Sequence, residues 1–155
     1  MSENLYNIKL VAIELISKSL NPPPSDLSGK EDFNFPFRID LKLLPDSKNA
    51  IIETTTDIVR VKESKSVASF KILCVFEFPD FDSVFTRKNH KQYNIPIELE
   101  IMLKSLGFST IRGIIASEIR GTYLHGAVLP LVDMDSLIRS LHKQVATTDL
   151  KGDSQ

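Results

Sequence analysis

The sequence predicts an α+β domain: a four-stranded antiparallel β-sheet meander, then two C-terminal helices packed on one of its faces. Three observations carry this. Apolar and polar residues alternate through the first half, the period-2 signature of half-buried strands. Short, turn-rich connections separate these stretches, which favours antiparallel neighbours. After Pro96 the apolar spacing lengthens to three and four residues, the period of a helix with one buried face.

The first strand falls within residues 6–20. Leu10, Val11, Ala12, Ile13, Leu15 and Ile16 put apolar groups on both of its faces. One face can line the core, and the other needs further cover, such as another subunit. Asn21-Pro22-Pro23-Pro24 ends it, because proline gives a ladder no N–H. Residues 25–34 read as a polar loop. Phe35, Phe37, Ile39, Leu41 and Leu43 alternate with Pro36, Arg38, Asp40 and Lys42, giving the second strand. A turn follows at residues 45–49. Residues 51–61, rich in Thr, Ile and Val, form the third strand, and residues 62–66 a charged turn. On the fourth, residues 67–78, Ala68, Phe70, Ile72, Cys74, Phe76 and Phe78 share one face.

Residues 79–94 mix Phe81, Val84, Phe85 and Tyr93 with many charges and read as a loop that partly packs down. Pro96 is a favourable first helical position, and Ile97, Ile101, Leu103 and Leu106 follow at helical spacing. Gly107 reads as an interruption, with Ser109 or Thr110 capping a restart. Ile111, Ile115 and Ile119 then continue the stripe, as one bent helix or two in series. Gly121 suits the residue just past a helix end. Residues 123–132 are an apolar connection. A last helix starts near Asp133 and carries Met134, Leu137, Ile138 and Leu141. Residues 1–146 thus read as one domain, and 147–155 as a polar tail.

The chain has 155 residues, enough for one domain with a real core. Lys plus Arg is 19 and Asp plus Glu is 20, a net charge of -1. That balance gives no footprint for nucleic acid or an anionic membrane. The single cysteine, Cys74, excludes an internal disulfide and a multi-cysteine metal site and fits a reducing compartment. The first residues lack a signal-peptide pattern, and no apolar run nears the roughly 20 residues of a membrane-spanning helix. The expectation is a cytoplasmic protein.

Catalytic chemistry finds little to stand on. His90, His125 and His142 lie in no spaced metal motif; the first two readings are surface histidines for His90 and His142, and a partly buried, hydrogen-bonded one for His125. Cys74 reads as core filling. Asp80 and Asp82 read as solvated loop acids. There is no Gly-rich phosphate loop and no nucleophile elbow. The expectation is a protein that is not an enzyme and has no metal or cofactor. What stands out is the apolar connection, since an exposed loop is normally polar, and the apolar residues on both faces of the sheet. Together they read as surface kept for self-association or for an apolar partner.

Ile119-Arg120-Gly121-Thr122-Tyr123, then Leu129-Pro130-Leu131, then Met134-Asp135-Ser136-Leu137 resembles the end of the SecB export chaperones. In that family a helix closes with Arg-Gly-Thr-Phe, an apolar crossover loop reaches a Pro-Val segment, and Phe-Asp-x-Leu opens the last helix. The motif positions here are Arg120, Gly121, Thr122, Pro130, Asp135 and Leu137, with one extra residue between the blocks. The order of elements follows the family over nearly the whole chain.

The resemblance implies an ATP-independent homotetramer, a dimer of dimers, that holds unfolded or precursor polypeptides in apolar grooves beside the crossover loop and last helix and delivers them for export by translocation. It places client contacts at Phe76, Phe78, Tyr123, Leu124, Val128, Leu129 and Leu131. It also implies a motor partner, SecA, docking on an acidic sheet face. The family's acidic positions fall here near Ile16 and Leu20; only Glu14 is acidic, Lys18 lies between them, and the pI is about 6.3. Weak or absent SecA binding is therefore expected. Related SecB-like proteins serve antitoxins, so a dedicated single-partner chaperone is the alternative. A small-ligand-binding α+β protein is the alternative of another class.

Overall fold

The computed structural model describes residues 6–152, with the backbone alone for residues 147–152. Strands β1 (Lys9–Leu20), β2 (Phe33–Asn34), β3 (Phe37–Leu44), β4 (Asn49–Arg60) and β5 (Lys65–Glu77) make one antiparallel sheet. A short helix α1 (Phe81–Val84) and a hairpin of β6 (Thr86–Asn89) and β7 (Gln92–Asn94) follow. Helices α2 (Ile97–Glu118) and α3 (Met134–Gly152) end the described chain. The α+β class and the two C-terminal helices are as the sequence predicts.

The strand order departs from a simple meander. Strands β3, β4 and β5 are successive hairpin neighbours, but β1 pairs with β5, along Leu10↔Phe76 to Leu20↔Ala68. The polar stretch after β1 carries the chain across the sheet end to the far edge. There β2 and β3 both pair with β4 and act as one strand interrupted at Pro36. Proline cannot extend the ladder; instead its carbonyl accepts from the Asp57 N–H at 3.1 Å and the Thr56 hydroxyl at 3.0 Å.

Alternation decides the core. Along β4, Ala50, Ile52, Thr54, Thr56 and Ile58 are buried, and along β5 so are Ala68, Phe70, Ile72, Cys74 and Phe76. Burial pushes the Cys74 thiol up, the Thr110 hydroxyl pulling the other way. Helix α2 covers this face, sinking Leu99, Leu103, Phe108, Ile111 and Ile115 over β3, β4 and β5.

Two β-bulges change the reading of β1. Register shifts between Leu10 and Ala12 and between Leu15 and Ser17 break strict alternation. Leu10, Ile13 and Leu15 therefore pair with Phe76, Cys74 and Ile72 and all face the helix side. Lys9, Ala12, Glu14, Ser17 and Ser19 take the other face. The large paired apolar residues thus lie on one face, and the unpaired bulge residues Val11 and Ile16 are exposed. That face is still uncovered, because α2 packs over the neighbouring strands: Leu10 and Ile13 are each 49 % exposed.

Three further expectations are corrected. Residues 79–94 hold a short helix and a hairpin, whose Phe81 and Phe85 are buried with Phe78 in an aromatic cluster. Helix α3 continues to Gly152 where a polar tail is expected from residue 147, and residues 153–155 lie outside the described ones. Gly107 does not break α2, which runs unbroken for 22 residues. Its role is close approach: a Cβ there would sit 2.4 Å from Ile52 Cγ2 and 3.1 Å from Thr54 Oγ1.

Gly107→Ala is accordingly expected to destabilise. Alanine gains about 1 kcal/mol of helix propensity, but overpacking against a fully buried β-branched residue costs about 1–3 kcal/mol and prevails. Gly113, with nothing within 4 Å of its would-be Cβ, gains about 0.5–1 kcal/mol on the same substitution. Opposite shifts in urea midpoint for the two variants check this; a stabilised Gly107→Ala would contradict the packing.

Candidate functional site

The crossover loop joining α2 to α3 is built by local hydrogen bonds. Gly121 takes φ +77°, a left-handed conformation that glycine adopts without strain. The Thr122 hydroxyl donates to the Ile119 carbonyl at 2.7 Å and accepts from the Leu124 N–H at 3.1 Å. The His125 N–H donates to Thr122 O and the Ala127 N–H to Leu124 O. The Tyr123 hydroxyl donates to the Asn21 carbonyl at 3.0 Å, tying the loop to the end of β1. At the other end Asp133 caps α3, accepting from the Ser136 N–H at 3.1 Å and hydroxyl at 2.7 Å. Those bonds hold the Asp133 carboxyl below its usual range.

With its two ends held by hydrogen bonds, the loop sorts its side chains. Leu124, Ala127 and Leu129 are buried, whereas Val128 is 69 % and Leu131 83 % exposed. Beside Val128 runs a groove of about 490 Å³, open to solvent, between this loop and one flank of α2. Ile115 and Ile119 line it from the helix and Leu129 from the loop; Arg112, Arg120 and His125 also line it.

The expected client residues are therefore split. Val128 lies at the groove, and Leu131 is exposed further along the same loop. Tyr123 is half-buried, and burial pushes its phenol up. Leu124 and Leu129 are core residues that anchor the loop, leaving at most the edge of Leu129 to the groove. Phe76 and Phe78 are buried and remote. Tyr123 reaches Asn21, whose N–H meets the Val67 carbonyl at the start of β5. Phe78 lies past the other end of that strand, roughly 35 Å away at about 3.3 Å per residue. His125 is exposed rather than partly buried. Of the motif positions, Gly121 and Thr122 shape the loop, Pro130 is exposed, Leu137 is half-buried, and Asp135 pairs with Arg139 at 2.8 Å.

Two features escape the sequence reading. One is the pair Arg112, on α2, and Arg120, just past its end, which line the same groove. The other is Arg60, whose buried side chain bonds Glu31 bidentately at 2.7 and 2.8 Å and also Asp26 and Glu63 at 2.8 Å. Nothing local in the sequence marks it, since two of its partners come from the loop after β1. It fastens that loop beside Tyr123 and Gly126.

No family model and no curated protein matches this sequence. Among solved structures, the fold matches that of the Mycobacterium tuberculosis Rv1957 SecB-like chaperone, solved in complex with a ChAD peptide from the Rv1956 HigA1 antitoxin. The match has a TM-score of 0.54 and spans 81% of this chain and 90% of that one, at 10% identity. This chain has the SecB-like fold. The crossover loop is where this chain leaves its most exposed large apolar side chains among the described residues.

The Arg60 cluster gives a pH prediction. Arg60, then the Ser28 N–H, holds the Glu31 carboxyl down at about 2, against an ordinary 4.5. A carboxyl lowered in the folded state stabilises above its unfolded value and loses that contribution as pH falls through the folded one. Glu31→Gln is expected to melt a few degrees below the parent at neutral pH, with the gap closing between about pH 4.5 and 2. A gap unchanged down to pH 2 would contradict the assignment.

Proposed function

We infer that this protein is an ATP-independent chaperone that holds unfolded polypeptide along the crossover loop, in the groove against α2. The observation that carries the reading is the pair Val128 and Leu131: exposed apolar side chains on a loop pinned by hydrogen bonds at its two ends and by the burial of Leu124, Ala127 and Leu129. A fixed loop keeps such groups out of water's way only when something else covers them. Release of apolar surface at roughly 25 cal/mol per Å² drives binding before ordering costs. The open groove suits an extended chain better than a small ligand, which normally sits in an enclosed pocket. The reading involves no catalysis and no cofactor, and it puts the protein in the cytoplasm; no helix among the described residues is long and apolar enough to cross a membrane.

Self-assembly belongs to the same proposal. Strand β1 is an edge strand with an uncovered apolar face, which a second copy can pair with and cover. The assembly proposed is a homotetramer, a dimer of dimers.

The client is either precursor proteins for export or one dedicated partner such as an antitoxin. Two observations favour the dedicated partner. The solved SecB-like neighbour is bound to an antitoxin peptide. On the open face of this sheet, Glu53 is paired with both Lys42 and Lys71, and Asp40 with Arg38. Lys18, on the helix side, is paired with Glu118. A face so neutralised offers little steering to a cationic surface of SecA, so calorimetric titration of SecA is expected to show weak binding or none; micromolar, salt-sensitive binding would return the export role.

The chaperone reading is tested by suppression of aggregation of a slow-folding protein without nucleotide. The parent is expected to protect, and Val128→Asp with Leu131→Asp to lose most of that protection while sedimenting as the parent does. Variants that assemble normally and protect fully would contradict the site.

A further inference from the structure

The groove between α2 and the crossover loop carries charge that the polypeptide-binding reading does not use. Arg112 on α2, Arg120 just past its end and His125 on the loop line it, together with Ile115, Ile119 and Val128, and no Asp or Glu among the described residues lines it. Elsewhere the arginines are engaged. Arg38 pairs with Asp40, Arg60 with three carboxylates, Arg139 with Glu98 and Asp135, and Arg87 lies over the Tyr93 ring at 5.9 Å. Arg112 and Arg120 have no ion-pair or aromatic partner among the described residues. Both guanidiniums lacking a partner thus line the same groove.

A guanidinium is a planar fork of donors suited to bidentate carboxylate recognition. Arg112 is half-buried, where water screens a pair less than at an open surface. We propose that the segment held in this groove is an acidic–apolar stretch of unfolded polypeptide. Its aliphatic or aromatic side chains lie on Ile115, Ile119 and Val128, and its Asp or Glu carboxylates meet Arg112 and Arg120. The proposal rests on the polypeptide-binding reading and adds the chemistry of the client. It also sets a rule of rejection, since a basic segment would bring like charges together in the groove.

The test is fluorescence anisotropy with two short labelled unstructured peptides of identical Leu and Phe pattern, one carrying Asp and Glu between them and the other Asn and Gln. The acidic peptide is expected to bind the parent roughly fivefold to tenfold more tightly, the sum of two partly exposed charge pairs. The ratio is expected to fall as salt is raised and to approach one in Arg112→Gln with Arg120→Gln. That double variant is expected to melt as the parent does, because neither side chain supports the fold through an ion pair. Equal affinity of the parent for both peptides, or a ratio unmoved by the double substitution, overturns the acidic preference and leaves the polypeptide-binding reading standing. No binding of either peptide overturns both.

Discussion

The close seating of α2 on β4 is the constraint from which the rest follows. At Gly107 the helix backbone comes so near Ile52 that no side chain fits between them. A 22-residue helix in that position buries one face over the three strands beneath it. It leaves two things outside its reach: the helix-side face of β1, and the loop that must carry the chain from the end of α2 to the start of α3. Both are apolar, and both carry exposed side chains. The bulges in β1 act with this placement. They turn Leu10, Ile13 and Leu15 to the same side, and Val11 and Ile16 stay exposed at the bulges themselves.

Polar groups, meanwhile, decide what holds still. Thr122, Asp133 and the Tyr123 hydroxyl hold the two ends of the crossover loop, and the Arg60 cluster fastens the loop beside it. An apolar loop tip that was free to move would fold back on the chain and hide itself. Held in place, it keeps Val128 and Leu131 in solvent. The arginines divide in the same way. Arg60 is buried among three carboxylates and anchors structure, whereas Arg112 and Arg120 face the groove without a partner among the described residues.

Alternation made β3, β4 and β5 legible in the sequence, because each residue's face follows from its parity once one face is buried. The same rule failed on β1, where two bulges reset the parity and no local residue type announces them. Gly107 was misread for a related reason. In sequence a glycine inside a helix looks like a break, and only the distance to the neighbouring strand reveals that it is a contact. The order of strands was equally hidden, since a polar stretch of the length following β1 reaches either edge of the sheet. At the candidate site, the apolar crossover loop was visible as a loop of the wrong polarity, but which of its residues serve as anchors and which stay exposed depends on hydrogen bonds. Hence Leu124 and Leu129 proved to be core and Val128 and Leu131 surface. Only the SecB-like resemblance joins Phe76 and Phe78 to the loop, and the length of β5 separates them from it.

In the proposed chaperone role, unfolded polypeptide meets this protein at the exposed tip of the crossover loop. Site-specific photo-crosslinking reads that contact directly. A photo-reactive residue placed at Leu131 is compared with one at Leu44, an exposed apolar position at the end of β3, in the presence of a reduced, unfolded protein. Crosslinks at Leu131 and few or none at Leu44, competed away by excess unlabelled unfolded chain, are what the account predicts. Equal crosslinking at the two positions, or crosslinking confined to Leu44, would contradict it.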